Sequence, residues 1–109
     1  MAATTYTINN GQYSAEHVEP LGQPGVARQL TAGSASTNTA LTTTVSRISI
    51  RAVGADIRYA IGSSSQTASA TSHFIGNGER LDLSVPFNAN IAVLRNGTTN
   101  GTLEVSELV

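Results

Sequence analysis

Two histidines and seven carboxylates carry most of the acid–base and metal-binding capacity of this 109-residue sequence, so their spacing is the first test for catalysis. His17 stands between Glu16 and Glu19, but Pro20, Gly22, Pro24 and Gly25 follow closely. A site that must hold reacting atoms to within about half an ångström needs a rigid platform, which this stretch does not offer. His73 precedes Phe74 at the start of a short apolar strand, where an interface or a capped edge suits it better than a role as a base. Two histidines without a third well-spaced partner do not make a zinc site. Glu79 and Asp82 are three apart in an alternating segment, so they face opposite sides of a sheet and cannot act as an acid/base pair. Glu104 and Glu107 have the same spacing. The chain is therefore read as a non-enzyme with no cofactor and no metal.

Other reactive residue types give the same answer. Serine is abundant, yet no Gly-x-Ser-x-Gly elbow occurs, and Ser63-Ser64-Ser65 sits in a low-complexity stretch. Gly76-Asn77-Gly78 leads into a strand, whereas a phosphate cradle needs a following helix terminus. Asn96-Gly97-Thr98 and Asn100-Gly101-Thr102 match the glycosylation sequon but read as turn residues. Arginine offers more. Arg47 and Arg51 lie on one face of a strand, with Arg58 expected to join them from the next strand as its hairpin partner. Such a set suits carboxylates or phosphates, and equally suits a solvated or intersubunit sheet face.

Composition narrows the class. There is no cysteine, so disulfides and thiolate metal sites are excluded. Only 12% of residues are charged, the net charge is -1, and all six basic residues are arginine. Arginine without lysine favours packed or interfacial contacts over a strongly hydrated surface. The same bias also follows from a GC-rich source genome. With no basic stripe, nucleic acid is not the expected partner. Met1 to Tyr6 lacks the basic and apolar regions of a signal peptide, and no apolar run reaches membrane-spanning length. The expectation is a soluble protein made in the cytoplasm.

The elements that must position these residues divide into an arm, residues 1–30, and a β domain, residues 31–109. The arm is polar and punctuated by proline and glycine, but it carries Tyr6, Ile8, Tyr13, Val18, Leu21 and Val26. These are anchors that a solvated tail would not need. Ser14 to Glu19 has the length for one helical turn ended by Pro20. Beyond it the pattern is period two with turn punctuation. Strands are expected over Gln29–Ala35, Thr43–Val53, Asp56–Ile61, Ser72–Ile75, Glu79–Val85, Asn88–Arg95 and Thr102–Leu108. Ser36–Ala40 reads as a polar connection, and Gly62–Thr71 as a loop that cannot bury itself. Gly54-Ala55 and Asn96–Gly101 read as hairpin turns, and Tyr59 and Phe74 as core. The fold expected is all-β: an antiparallel two-sheet sandwich or small jelly roll with an extended N-terminal arm.

One resemblance is carried by Arg51-Ala-Val-Gly-Ala-Asp-Ile-Arg-Tyr-Ala-Ile-Gly62, Thr67-Ala-Ser-Ala-Thr-Ser-His-Phe-Ile75, Gly78-Glu-Arg-Leu-Asp-Leu83, Ile91-Ala-Val-Leu-Arg-Asn-Gly97 and Leu103-Glu-Val-Ser-Glu-Leu108. In texture and order these segments resemble small structural proteins of tailed bacteriophages. Within that group the size and architecture are similar to capsid decoration (cement) proteins. The resemblance implies a virion location on the capsid surface, the major capsid protein as partner, and a homo-oligomer, trimer or dimer. It implies the task of holding adjacent capsomers together, with the arm as a clamp. Tyr6, Ile8, Tyr13, Val18, Leu21, Arg47, Arg51 and Arg58 are the candidate contact residues. The alternatives are a tail, neck or fibre component, or a carbohydrate-binding β-sandwich for host attachment. The second alternative is limited by how few aromatics remain exposed if Tyr59 and Phe74 are core.

Overall fold

The computed structural model describes residues 22–109, and every regular element within them is a β-strand. They are β1 (Pro24–Ala32), β2 (Thr37–Ala40), β3 (Arg47–Val53), β4 (Ile57–Gly62), β5 (His73–Ile75), β6 (Arg80–Ser84), β7 (Asn90–Arg95) and β8 (Gly101–Leu108). Two four-stranded antiparallel sheets result, ordered β1-β8-β3-β6 and β2-β7-β4-β5. The first strand pairs with the last, the second with the seventh, the third with the sixth and the fourth with the fifth. A long antiparallel ribbon is thus rolled on itself, and the β3–β8 and β4–β7 pairings close the roll. This is the double-sheet jelly roll.

Alternation decides which face of each strand is buried. Ile48, Ile50 and Ala52 of β3, Leu103 and Val105 of β8, and Leu30 and Ala32 of β1 point inward from the first sheet. Ile57, Tyr59, Ile75, Ile91 and Val93 come from the second, and all belong to one core. Leu81 and Leu83 of edge strand β6 cover its side.

Several expectations are corrected. The β3–β4 and β7–β8 links are not hairpins: each passes from one sheet to the other, so the flanking strands face each other across the core. Alternation buries the same residues either way, which is why spacing could not tell the two apart. Gly54, at φ 92°, takes the left-handed conformation that the first crossover needs. A strand, β2, occupies the segment read as a polar connection; it is an edge strand with only β7 beside it, so its polar composition is tolerated. The strand expected from Thr43 begins only at Arg47: Thr42–Thr44 form a turn, closed by the Val45 N–H donating to the Thr42 carbonyl at 3.1 Å. Residues 24–30, assigned to the arm, belong to β1 and pair along β8; Pro24 sits at the start of this edge strand, where its missing donor costs nothing. Phe74 is 44% exposed, because on β5 it alternates against buried Ile75. The loop after β4 does bury part of itself. Ala68 is buried, its N–H donating to Ser36 Oγ at 2.8 Å, and the Gln66 N–H donates to Asn38 Oδ1 at 2.9 Å. The loop is thereby tied to β2 and to the link before it.

Candidate functional site

The outward residues of the first sheet come from β1, β8, β3 and β6, whose register sets them in rows. Ala27, Ser106, Ser49 and Asp82 make one row; Gln29, Glu104, Arg51 and Arg80 make the next. The first is a strip of small side chains with a carboxylate at its β6 end. The second carries two arginines side by side. Arg47 lies beyond the small strip on β3, opposite Leu108 on one side and Ser84 on the other.

Arg47 and Arg51 therefore share a face, as their spacing requires. Beside Arg47 an open groove of about 550 Å³ runs over the face, lined by Gly22, Pro24, Ser49, Asp82, Leu83, Ser106 and Leu108 among others. Beside Arg51 a second hollow of about 380 Å³ is lined by Ser49, Arg80, Glu104, Ser106 and Val53. The Arg80 guanidinium is held in place: Nε donates to Ser49 Oγ at 2.9 Å, and Nη2 lies 3.3 Å from Asp82 Oδ1. Glu104 is turned toward β1, accepting from Gln29 Nε2 at 3.3 Å. Arg51 is exposed and makes no ion pair or hydrogen bond through its side chain among the described residues.

Arg58 does not join this set. It stands in the second sheet, opposite Phe74 and Leu94. Its Nε donates to Asn96 Oδ1 at 3.1 Å, its Nη1 donates to the Ser72 carbonyl at 3.0 Å, and its guanidinium carbon lies 4.9 Å from the Phe74 ring centre. It fastens β4, β5 and the turn after β7 to one another. Arg80 takes the place expected for Arg58. Period two on β6 already put Arg80 and Asp82 outward; what was missing was the pairing of β6 with β3. Tyr6, Ile8, Tyr13, Val18 and Leu21, with His17, Glu16 and Glu19, lie outside the described residues.

Glu107, weighed above only as half of an acid/base pair with Glu104, has a structural role instead. It is 1% exposed and accepts from the Thr42 N–H at 2.9 Å and from Arg28 Nε at 3.1 Å, with Arg28 Nη2 in ion-pair contact at 3.1 Å. Burial pushes its carboxyl up, but the hydrogen bonds from Thr42 and Arg28 and the Arg28 charge outweigh that and hold it below its ordinary value. The signal was present: Glu107 continues the inward series Leu103, Val105. Tyr59 shifts the other way, its phenol raised by burial and then by the Glu79 charge. The His73 ring lies 5.4 Å from the Tyr59 ring at the edge of the second sheet.

At one end of the roll the turns after β3, β5 and β7 meet in a polar cup of about 280 Å³ lined by Asp56, Asn77, Asn96, Thr98 and Thr99. Its side chains first lock the turns. Asp56 Oδ1 accepts from the Asn77 N–H at 2.8 Å, and Asn77 Oδ1 accepts from the Gly54 N–H at 2.9 Å. No group of three or more His, Asp or Glu side chains able to hold a metal ion occurs among the described residues. Compared with known proteins, this chain matches no family model, no curated sequence and no solved structure.

Proposed function

We propose that this chain is a non-catalytic structural subunit of a tailed-bacteriophage virion. In this reading it works as a homo-oligomer, seats the outer face of its β1-β8-β3-β6 sheet on the capsid surface, and stabilises contacts between capsomers. The observation that carries the reading is that face: a shelf of small side chains bordered by arginines, one of them without a partner among the described residues. Small side chains let a partner backbone approach closely, and arginine, less strongly hydrated than lysine, suits interfacial contacts. The buried carboxylate supports the same reading, since Glu107 is spent on holding β8 to β1 and to the segment before β3. Cementing requires binding alone. A subunit that engages only the assembled shell stabilises it by mass action, and many copies multiply a modest energy per site.

Mixing the purified protein with expanded, undecorated capsids of the encoding phage should give saturable co-sedimentation and raise the temperature at which the shells disassemble. Absence of binding would remove the capsid reading. The polar cup, with exposed Phe74 close to its Asp56 wall, favours host-surface glycan as the second reading. Selective binding on a glycan array, without capsid binding, would put that reading first.

A further inference from the structure

We infer that the hollow between Arg51 and Arg80 is a carboxylate-binding notch that receives one Asp or Glu side chain of the partner protein. The inference rests on the docking reading above and adds the chemistry of the contact. Arg51 and Arg80 are direct cross-strand partners on β3 and β6, which sets their Cβ atoms about 5 Å apart. Like charges so placed repel each other unless an anion lies between them. The neighbouring carboxylates do not fill that role for Arg51. Asp82 is engaged with Arg80, and Glu104, although opposite Arg51 on β8, is turned to Gln29.

Arg80 is the fixed half of the notch, because Ser49 Oγ and Asp82 hold its Nε and one terminal nitrogen and leave the other terminal nitrogen uncommitted among the described residues. Arg51 is the exposed half, with its whole donor fork uncommitted among the described residues. Ser49 and Ser106 line the hollow with hydroxyls and keep the approach low. A planar carboxylate can accept from both guanidinium groups at once, one oxygen to each. The local charge also selects the ligand. Glu104 and Asp82, the carboxylates beside the notch, disfavour a polyanion such as a phosphate backbone, while Arg51, paired with neither, still offers its fork to a single carboxylate.

The test is a titration of the full-length protein with sodium succinate against sodium chloride at matched ionic strength, reading the Nε–H resonances of the six arginines by NMR. Succinate should shift Arg51 and Arg80 along a saturating curve and leave Arg95, which donates to Asn100 on another surface, unmoved. Arg51→Gln should abolish the response of Arg80. Equal shifts of all arginines, or none, would overturn the notch. A second arm measures capsid co-sedimentation of an Arg51→Glu, Arg80→Glu double variant whose amide spectrum remains dispersed. At least a tenfold loss of apparent affinity is expected, and wild-type affinity would overturn the notch as the docking point. If the wild-type protein binds no capsid, the docking reading fails on its own, and the succinate titration still decides whether the notch takes a carboxylate.

Discussion

Glu107 illustrates how much one buried charge can organise. Its carboxylate joins β1 through Arg28, β8 through its own backbone, and the turn before β3 through the Thr42 N–H. With the folded-state pKa held below the ordinary value of 4.5, the contribution to stability is fully present above that value. It is lost as pH falls from there through the depressed folded value. Thermal unfolding of the wild type should therefore lose midpoint temperature across that acid window, and Glu107→Gln should flatten this part of the profile. Glu107→Ala leaves the Thr42 N–H without its acceptor and Arg28 without its counter-charge, and should cost about 2–3 kcal/mol by chemical denaturation. Arg28 is partly exposed, which keeps the loss below that of a fully buried pair. At this scale the sequence was informative for Arg47, Arg51, Arg80 and Glu107, because period two states which way each side chain points. It said nothing about which residues stand opposite them.

The strands themselves were legible wherever alternation was strong, as in Arg47–Val53 and Gly101–Leu108. They were not legible in Thr37–Ala40, a polar edge strand held by main-chain bonds to β7. The connections were the weakest part of the reading. A short turn rich in glycine serves a hairpin or a crossover equally well, and only the partner strand distinguishes them. At the β7–β8 crossover, Gly101 is packed against the β3–β4 link. A Cβ there would lie 3.1 Å from Ala55 Cβ and 3.2 Å from the Ala55 nitrogen and the Val53 carbonyl oxygen. Since two of those atoms are backbone, the link cannot give way cheaply. Gly101→Ala should destabilise the protein by about 1–3 kcal/mol, with hydrogen exchange speeding up first at residues 53–56.

Rolling the ribbon brings its two ends together, and this sets the behaviour of the whole molecule. Arg28 pairs with Val105, and the Gln23 and Val109 main chains exchange hydrogen bonds at 2.9 and 2.8 Å. β8 lies between β1 and β3, so the first sheet has no continuity until the last strand arrives. Refolding should be slow for a domain of this size, on the order of milliseconds to seconds, because the pairings that matter span most of the chain. A chain truncated before Gly101 should fail to give a cooperative unfolding transition by circular dichroism, since it lacks the strand that joins β1 to β3.

What the sequence determined by itself is the local physics: an all-β chain, the inward and outward faces of most strands, the sharing of one face by Arg47 and Arg51, and the lack of convergence between Glu79 and Asp82 or Glu104 and Glu107. Each follows from the two-residue repeat of an extended strand, which depends only on near neighbours. The tertiary structure decided the partners. It set Arg80 rather than Arg58 beside Arg51, seated Glu107 on Arg28 and Thr42, exposed Phe74, and drew residues 24–30 out of the arm into a sheet. Those outcomes depend on which distant strands pair, and alternation is blind to that choice because a strand buries the same face whichever neighbour it meets.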